Sequence, residues 1–186
     1  MAQTGVADIL REAVPLLLVM AFIEVVAGSF LGRMEHSLER LPGLLALVPA
    51  VLAMRGNIST SMGSRLGTLT RFGLIPRDRV WVPAVGQSVT ASLVLGVILA
   101  VAAAVLAHVV TVMAGLPSAG ILRLATIAVV AGLLSGLMMA GVAVVTMRVA
   151  FRRGYDLDNV AGPVLMTMSD LATLLCLFAV ARLVGA

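Results

Sequence analysis

Long apolar runs joined by very short polar connections leave this chain of 186 residues one practical way to fold, as helices crossing a lipid bilayer. The runs cover about 14–31, 42–72, 82–113, 119–150 and 159–184. A helix crosses the hydrocarbon core, roughly 30 Å thick, with about 20 apolar residues. Each run approaches or exceeds that length. Composition agrees: 61% of the residues are hydrophobic and 12% charged, about half the charged share of an ordinary soluble domain. The connections MEHSLER, LIPRDRV, GLPSAG and FRRGYDLD leave no room for a soluble domain. The expectation is one all-α integral membrane domain over 1–186, with five transmembrane helices.

Charge sets orientation more than partnership. The net charge is only +4, and every one of the thirteen basic residues is arginine. No basic patch interleaved with aromatics points to nucleic acid. Arg71, Arg77 and Arg79 fall between the second and third runs, and Arg148, Arg152 and Arg153 between the fourth and fifth. Arginine-rich short loops stay on the cytoplasmic side, so the reading is a multi-pass cell-membrane protein, N-terminus cytoplasmic and C-terminus outside. The start of the chain lacks the basic region and small-residue cleavage site of a signal peptide, and the first run is read as a permanent span. Cys176, the single cysteine, excludes an internal disulfide.

The second run is unusual. A continuous helix over 42–72 is about 45 Å long at 1.5 Å per residue, and its centre reads MRGNISTSMGSRLGT. Irregular backbone at membrane depth is tolerated only where it lines a cavity or is buried in protein. The expectation is therefore a broken second helix. The competing reading is that Gly56, Gly63 and Gly67 let neighbouring helices approach closely. Gly132 and Gly136 form a G-x-x-x-G pair of the same kind, read as architecture.

Few polar groups lie deep enough to carry chemistry. Asp170 stands near the centre of the last run, where a carboxylate costs several kcal/mol unless it faces water, a partner or an ion. That makes it a candidate ligand on a cation pathway; the alternative is a structural partner of Arg55 or Arg65. Glu24, near the middle of the first run, is either a second pathway carboxylate, a sodium or proton relay, a neutral protonated carboxyl, or a partner of a second-span arginine. Arg55 and Arg65 are expected to snorkel or to pair with an acid. Asp156, Asp158 and Asn159 form a D-x-D-N cluster at the start of the last run. Paired carboxylates attract divalent cations, whereas Asp158 and Asn159 also suit helix capping. Eleven methionines invite a soft-metal reading, but Met166 and Met168 are two residues apart and share no helix face. No base stands near Ser59, Thr60 or Ser61 to activate a nucleophile, and no phosphate-binding loop or zinc spacing occurs. An enzyme is not expected.

Two segments now carry a resemblance. VPAVLAMRGNISTSMGSRLGTLTRFGL and YDLDNVAGPVLMTMSDLATLL are similar to the second and last spans of MgtE-type magnesium channels and their solute-carrier relatives. The five-span count agrees. The resemblance implies a homodimer surrounded by membrane lipid, with a pathway for divalent cations at the subunit interface. Its last-span aspartate, which acts at the ion site, matches Asp170, and its Gly-Asn pair matches Gly56 and Asn57. Mg2+ is the implied cargo, with Mn2+ or another divalent cation as alternatives. Thr167, three residues before Asp170, shares its helix face and joins the candidate ligands. The chain as given has no room for the cytoplasmic sensor domains of full-length MgtE channels, and the Arg before Gly56 with the D-x-D-N cluster looks closer to the solute-carrier branch. Two other functions stay open: a divalent-cation exchanger coupled to sodium or protons through Glu24, and a non-transporting structural subunit.

Overall fold

Helix boundaries fall where proline and glycine put them. Pro83 occupies the first helical position after an extended Val82, where its missing N–H costs nothing. Gly43, at φ 92°, turns the chain into the next helix, a backbone region that residues with a Cβ avoid. The structure, a computed structural model, describes residues 6–32, 41–75, 81–153 and 157–185, without the side chains of 7–9, 12, 30 and 157–160. It contains α1 (Val6–Gly32), α2 (Leu44–Arg71), α3 (Pro83–Met113), α4 (Ile121–Arg153) and α5 (Leu157–Gly185).

Among the described residues every regular element is a helix, as an all-α membrane protein requires. Stretches in α2, α3, α4 and α5 are long and apolar enough to cross a membrane; the corresponding stretch in α1, Ala13–Ser29, is shorter. The connection 33–40, with His36 and its charged residues, and Arg77, Arg79 and Asp156 lie outside the described residues.

One expectation is corrected. α2 is continuous over 28 residues, about 42 Å at 1.5 Å per residue, and shows no break at its Gly/Ser/Thr-rich centre. The hydroxyls do not compete with the helix, because Thr60, Thr68 and Thr70 donate to carbonyls one turn back, at 3.0, 3.0 and 2.8 Å. The glycines serve contact: a Cβ on Gly63 runs into Leu165 of α5 and comes within 3.3 Å of Met147 of α4.

α2, α3, α4 and α5 pack as a bundle in which α2 also touches α4 across the middle, while α1 lies against α5. Lipid tails are as apolar as leucine, so such a bundle is held by close packing rather than by a hydrophobic drive between helices. Small residues make this possible: Ala100, Ala103, Ala104 and Ala107 of α3 and Ala128 and Ala131 of α4 belong to one buried cluster, with Gly132 opposite Ala100. The cluster continues through Leu44, Leu47 and Val51 to Leu177 and Val180. A second, around Met62, Leu66, Val89, Met147 and Leu165, fills the other end. Along α2, α3 and α4 the buried residues between the clusters, Ile58 apart, are polar or glycine, among them Arg55, Gly56, Ser59, Ser92, Gly96, Ser135 and Gly136. This mid-depth layer meets α5 at Ser169 and Asp170.

Candidate cation site

Asp170 lies at the centre of the 29-residue α5, half-buried. It comes to α2 because residue 56 has no side chain. A Cβ on Gly56 lies 3.6 Å from Asp170 Oδ1 and 3.5 Å from Met166 Cγ, so the carboxylate rests directly on the α2 backbone. One turn further along α2, the Ser59 hydroxyl donates to Ser169 Oγ at 3.0 Å, a buried bond that fixes the register of the two helices.

The carboxylate itself is not satisfied. Asp170 Oδ1 is buried and has no hydrogen-bond partner, and neither has Thr173 Oγ1, one turn on along the same face of α5. A buried oxygen of this kind costs about 1–3 kcal/mol, more when charged, and two on one face are suited to a hard cation, which takes oxygen ligands. Thr173 was missed from the sequence, where a threonine in an apolar helix carries no mark; only the lack of a backbone partner for its hydroxyl distinguishes it.

The other candidates fall at different places. Thr167 is buried on α5, 6% exposed, one turn before Asp170. Glu24 of α1 is half-buried and near enough to Asp170 for the two negative charges to repel, so helix packing brings together two carboxylates 146 residues apart in the chain. Asn57 is exposed on α2; its carbonyl accepts from Thr60 Oγ1 at 3.1 Å. The side chains of Asp158 and Asn159 lie outside the described residues. Among the described residues no group of three or more His, Cys, Asp or Glu converges on one point, so a cation bound here would need hydroxyl and carbonyl oxygens beside the two acids.

Neither Arg55 nor Arg65 pairs with an acid among the described residues. Arg65 bonds within its own helix, to Ser61 O at 3.4 Å and Ser61 Oγ at 3.2 Å. Arg55 neither snorkels nor forms an ion pair: it is 4% exposed, and its Nε has no hydrogen-bond partner. Asp170 is therefore not held as a salt-bridge partner of either. His108 and Cys176 have structural contacts, to Ser118 Oγ at 2.8 Å and to Met138 Sδ at 4.0 Å.

A cavity of about 220 Å³ opens between α2, α4 and α5, lined by Thr60, Ser64, Thr68, Arg71 and Gly162 among others. Thr60 is one turn from Gly56, so this polar space begins one turn from the Gly56–Asp170 contact. It runs toward the bundle end that carries Arg71 and the exposed Arg148, Arg152 and Arg153.

Comparison with known proteins gives one consistent family. The family model described as "MgtE: Divalent cation transporter" matches residues 48–180. "Solute carrier family 41 member 2" of Xenopus laevis is 32% identical, over 92% of this chain and 31% of its own length. Its Homo sapiens counterpart is also 32% identical, over 89% and 29%, and that of Gallus gallus 31%, over 89% and 29%. The chain thus spans about a third of the length of these curated relatives.

Proposed function

The chain belongs to the MgtE family of divalent cation transporters, and from that premise we propose that it carries divalent cations, Mg2+ first among them, along a pathway lined by Asp170 at a homodimer interface. The observation that supports this is the buried, unpartnered Asp170 Oδ1 lying against Gly56. A divalent ion is not neutralised by one carboxylate. Twofold symmetry brings the same patch of both subunits together, which doubles the acids facing the ion. Mg2+ holds its water tightly and is bound through one or two carboxylates, so the ion at this site is partly or fully hydrated, with Thr167, Thr173 and the backbone near Gly56 and Asn57 as further contacts.

The cation reaches the site through the hydroxyl-lined cavity beside Thr60, Ser64 and Thr68. The arginines at that end make it the cytoplasmic one by the positive-inside rule, with α1 as a fifth span and the N-terminus inside. Labelling of the two arginine-rich connections from outside intact cells tests the orientation; ready access overturns it.

Uptake of Mg2+ into proteoliposomes tests the proposal. The parent protein transports, and Asp170→Asn, which keeps shape and removes charge, lowers the rate at least tenfold while the protein stays dimeric. Parental flux in that variant overturns the assignment of Asp170, and a parent without flux supports the structural-subunit reading instead. Glu24 beside Asp170 favours one refinement, coupling to sodium or protons: flux then follows an imposed gradient and loses that dependence in Glu24→Gln. Gradient-independent flux leaves a channel.

A further inference from the structure

Among the described residues Arg55 is the one deep charge that the pathway does not use, and three helices are shaped around it. A Cβ on Gly96 of α3 lies 2.8 Å from its Nη1, and a Cβ on Gly136 of α4 lies 2.7 Å from its Nη2. Real Cβ atoms do not come so close, so two glycines 40 residues apart form a slot that only their missing side chains allow. The guanidinium in it is almost fully buried, Nε has no partner, and no acid among the described residues pairs with it.

A wedge between helices does not need charge. A methionine or leucine fills such a slot without the desolvation penalty of a buried ion, and exchanging buried charges for apolar groups of like size is commonly neutral or stabilising. An unpaired buried arginine, seated by two dedicated glycines next in sequence to the Gly56–Asp170 contact, calls for a use of the charge itself.

We propose that Arg55 is a positioning residue for ion release: a fixed positive charge, held off Asp170 by the Gly96–Gly136 slot, that limits how tightly the site retains a divalent cation. The inference rests on the reading of Asp170 as an ion ligand. With both carboxyls ionised, Glu24, Asp170 and Arg55 leave one net negative charge per protomer and two across a twofold pathway, matched to one divalent ion. Without Arg55 the same site is over-charged, and an ion that binds deeply leaves slowly.

The test is the concentration dependence of Mg2+ uptake in proteoliposomes. Removing the charge in Arg55→Gln lowers KM at least tenfold, the lower bound for one unit charge acting on a divalent ion at about 10 Å in a medium of effective dielectric 20, and lowers the maximal rate with it. Arg55→Lys, which keeps the charge, stays near the parent in both. A purely structural arginine gives no such split: Gln and Lys then behave alike, or KM does not move, and either result overturns the proposal. If Arg55→Gln does not accumulate as folded protein, Gly96→Ala provides the second reading, since its methyl displaces Nη1. A KM changed at least threefold in a dimeric Gly96→Ala protein supports the proposal and an unchanged KM overturns it. Asp170→Asn separates the two layers. Lost flux there with unchanged KM in Arg55→Gln removes only the role of Arg55, whereas normal flux in Asp170→Asn removes the ion site beneath it.

Discussion

α3 and α5 cross the same bundle and both carry buried hydroxyls, yet they use them in opposite ways. On α3, the most apolar span with a mean hydropathy of 2.8 in its best window, Ser88, Ser92 and Thr111 each donate to a carbonyl one turn back, at 3.0, 2.9 and 2.6 Å. Their polarity is returned to their own backbone, and the helix presents a dry, small-residue face to its neighbours. On α5, Thr173 Oγ1 and Asp170 Oδ1 return nothing. Polar content therefore does not distinguish a packing helix from a pathway helix; satisfaction does. In lipid a satisfied hydroxyl is part of the helix, and an unsatisfied oxygen awaits a partner the fold does not supply.

The comparison breaks first at Gly63, if the α2–α5 seam is loose enough to be ordinary packing. Gly63→Ala places a methyl against Leu165 and Met147, an overpacking change that costs about 1–3 kcal/mol. Thermal unfolding in detergent should show a clear loss of stability; an unchanged midpoint means the two helices do not hold each other as described. A smaller effect sharpens the contrast of hydroxyls. Thr173→Val keeps the shape of the side chain and removes an oxygen with no protein partner, so stability is kept or rises slightly while Mg2+ uptake falls about three- to tenfold, the equivalent of roughly 0.7–1.4 kcal/mol. Equal flux removes Thr173 from the pathway. Smallest of all is Thr111→Val on α3. It removes a hydroxyl already bonded to Ala107 O, the bond and its acceptor being local, and changes transport by less than twofold; a loss as large as that of Thr173→Val makes the distinction between the helices meaningless.

Legibility from the sequence follows the range of the interaction. Helix number and class came from run length and hydropathy, which are local and strong. Asp170 stood out because one charge in an apolar run is visible without a fold. The state of α2 was misread because its glycines and hydroxyls look the same whether they open a cavity or fit a neighbour; Leu165 and Met147, 102 and 84 residues beyond Gly63, decide it. Two features of the mid-depth layer had no local signal at all. The slot for Arg55 is built from positions 55, 96 and 136, and each glycine alone reads as generic helix contact. Glu24 and Asp170 sit at opposite ends of the chain, and only the packing of α1 on α5 brings each within reach of the other's charge.

The central claim is that Asp170 Oδ1 lacks a protein partner because its partner is a divalent cation. Mn2+, a paramagnetic stand-in for Mg2+ with the same preference for oxygen ligands, reads this directly when titrated by electron paramagnetic resonance into the purified protein and into Asp170→Asn. The account predicts saturable Mn2+ binding to the parent, displaced by Mg2+, and at least a tenfold weaker affinity in the variant with the oligomer intact. Equal affinity in the two proteins contradicts it.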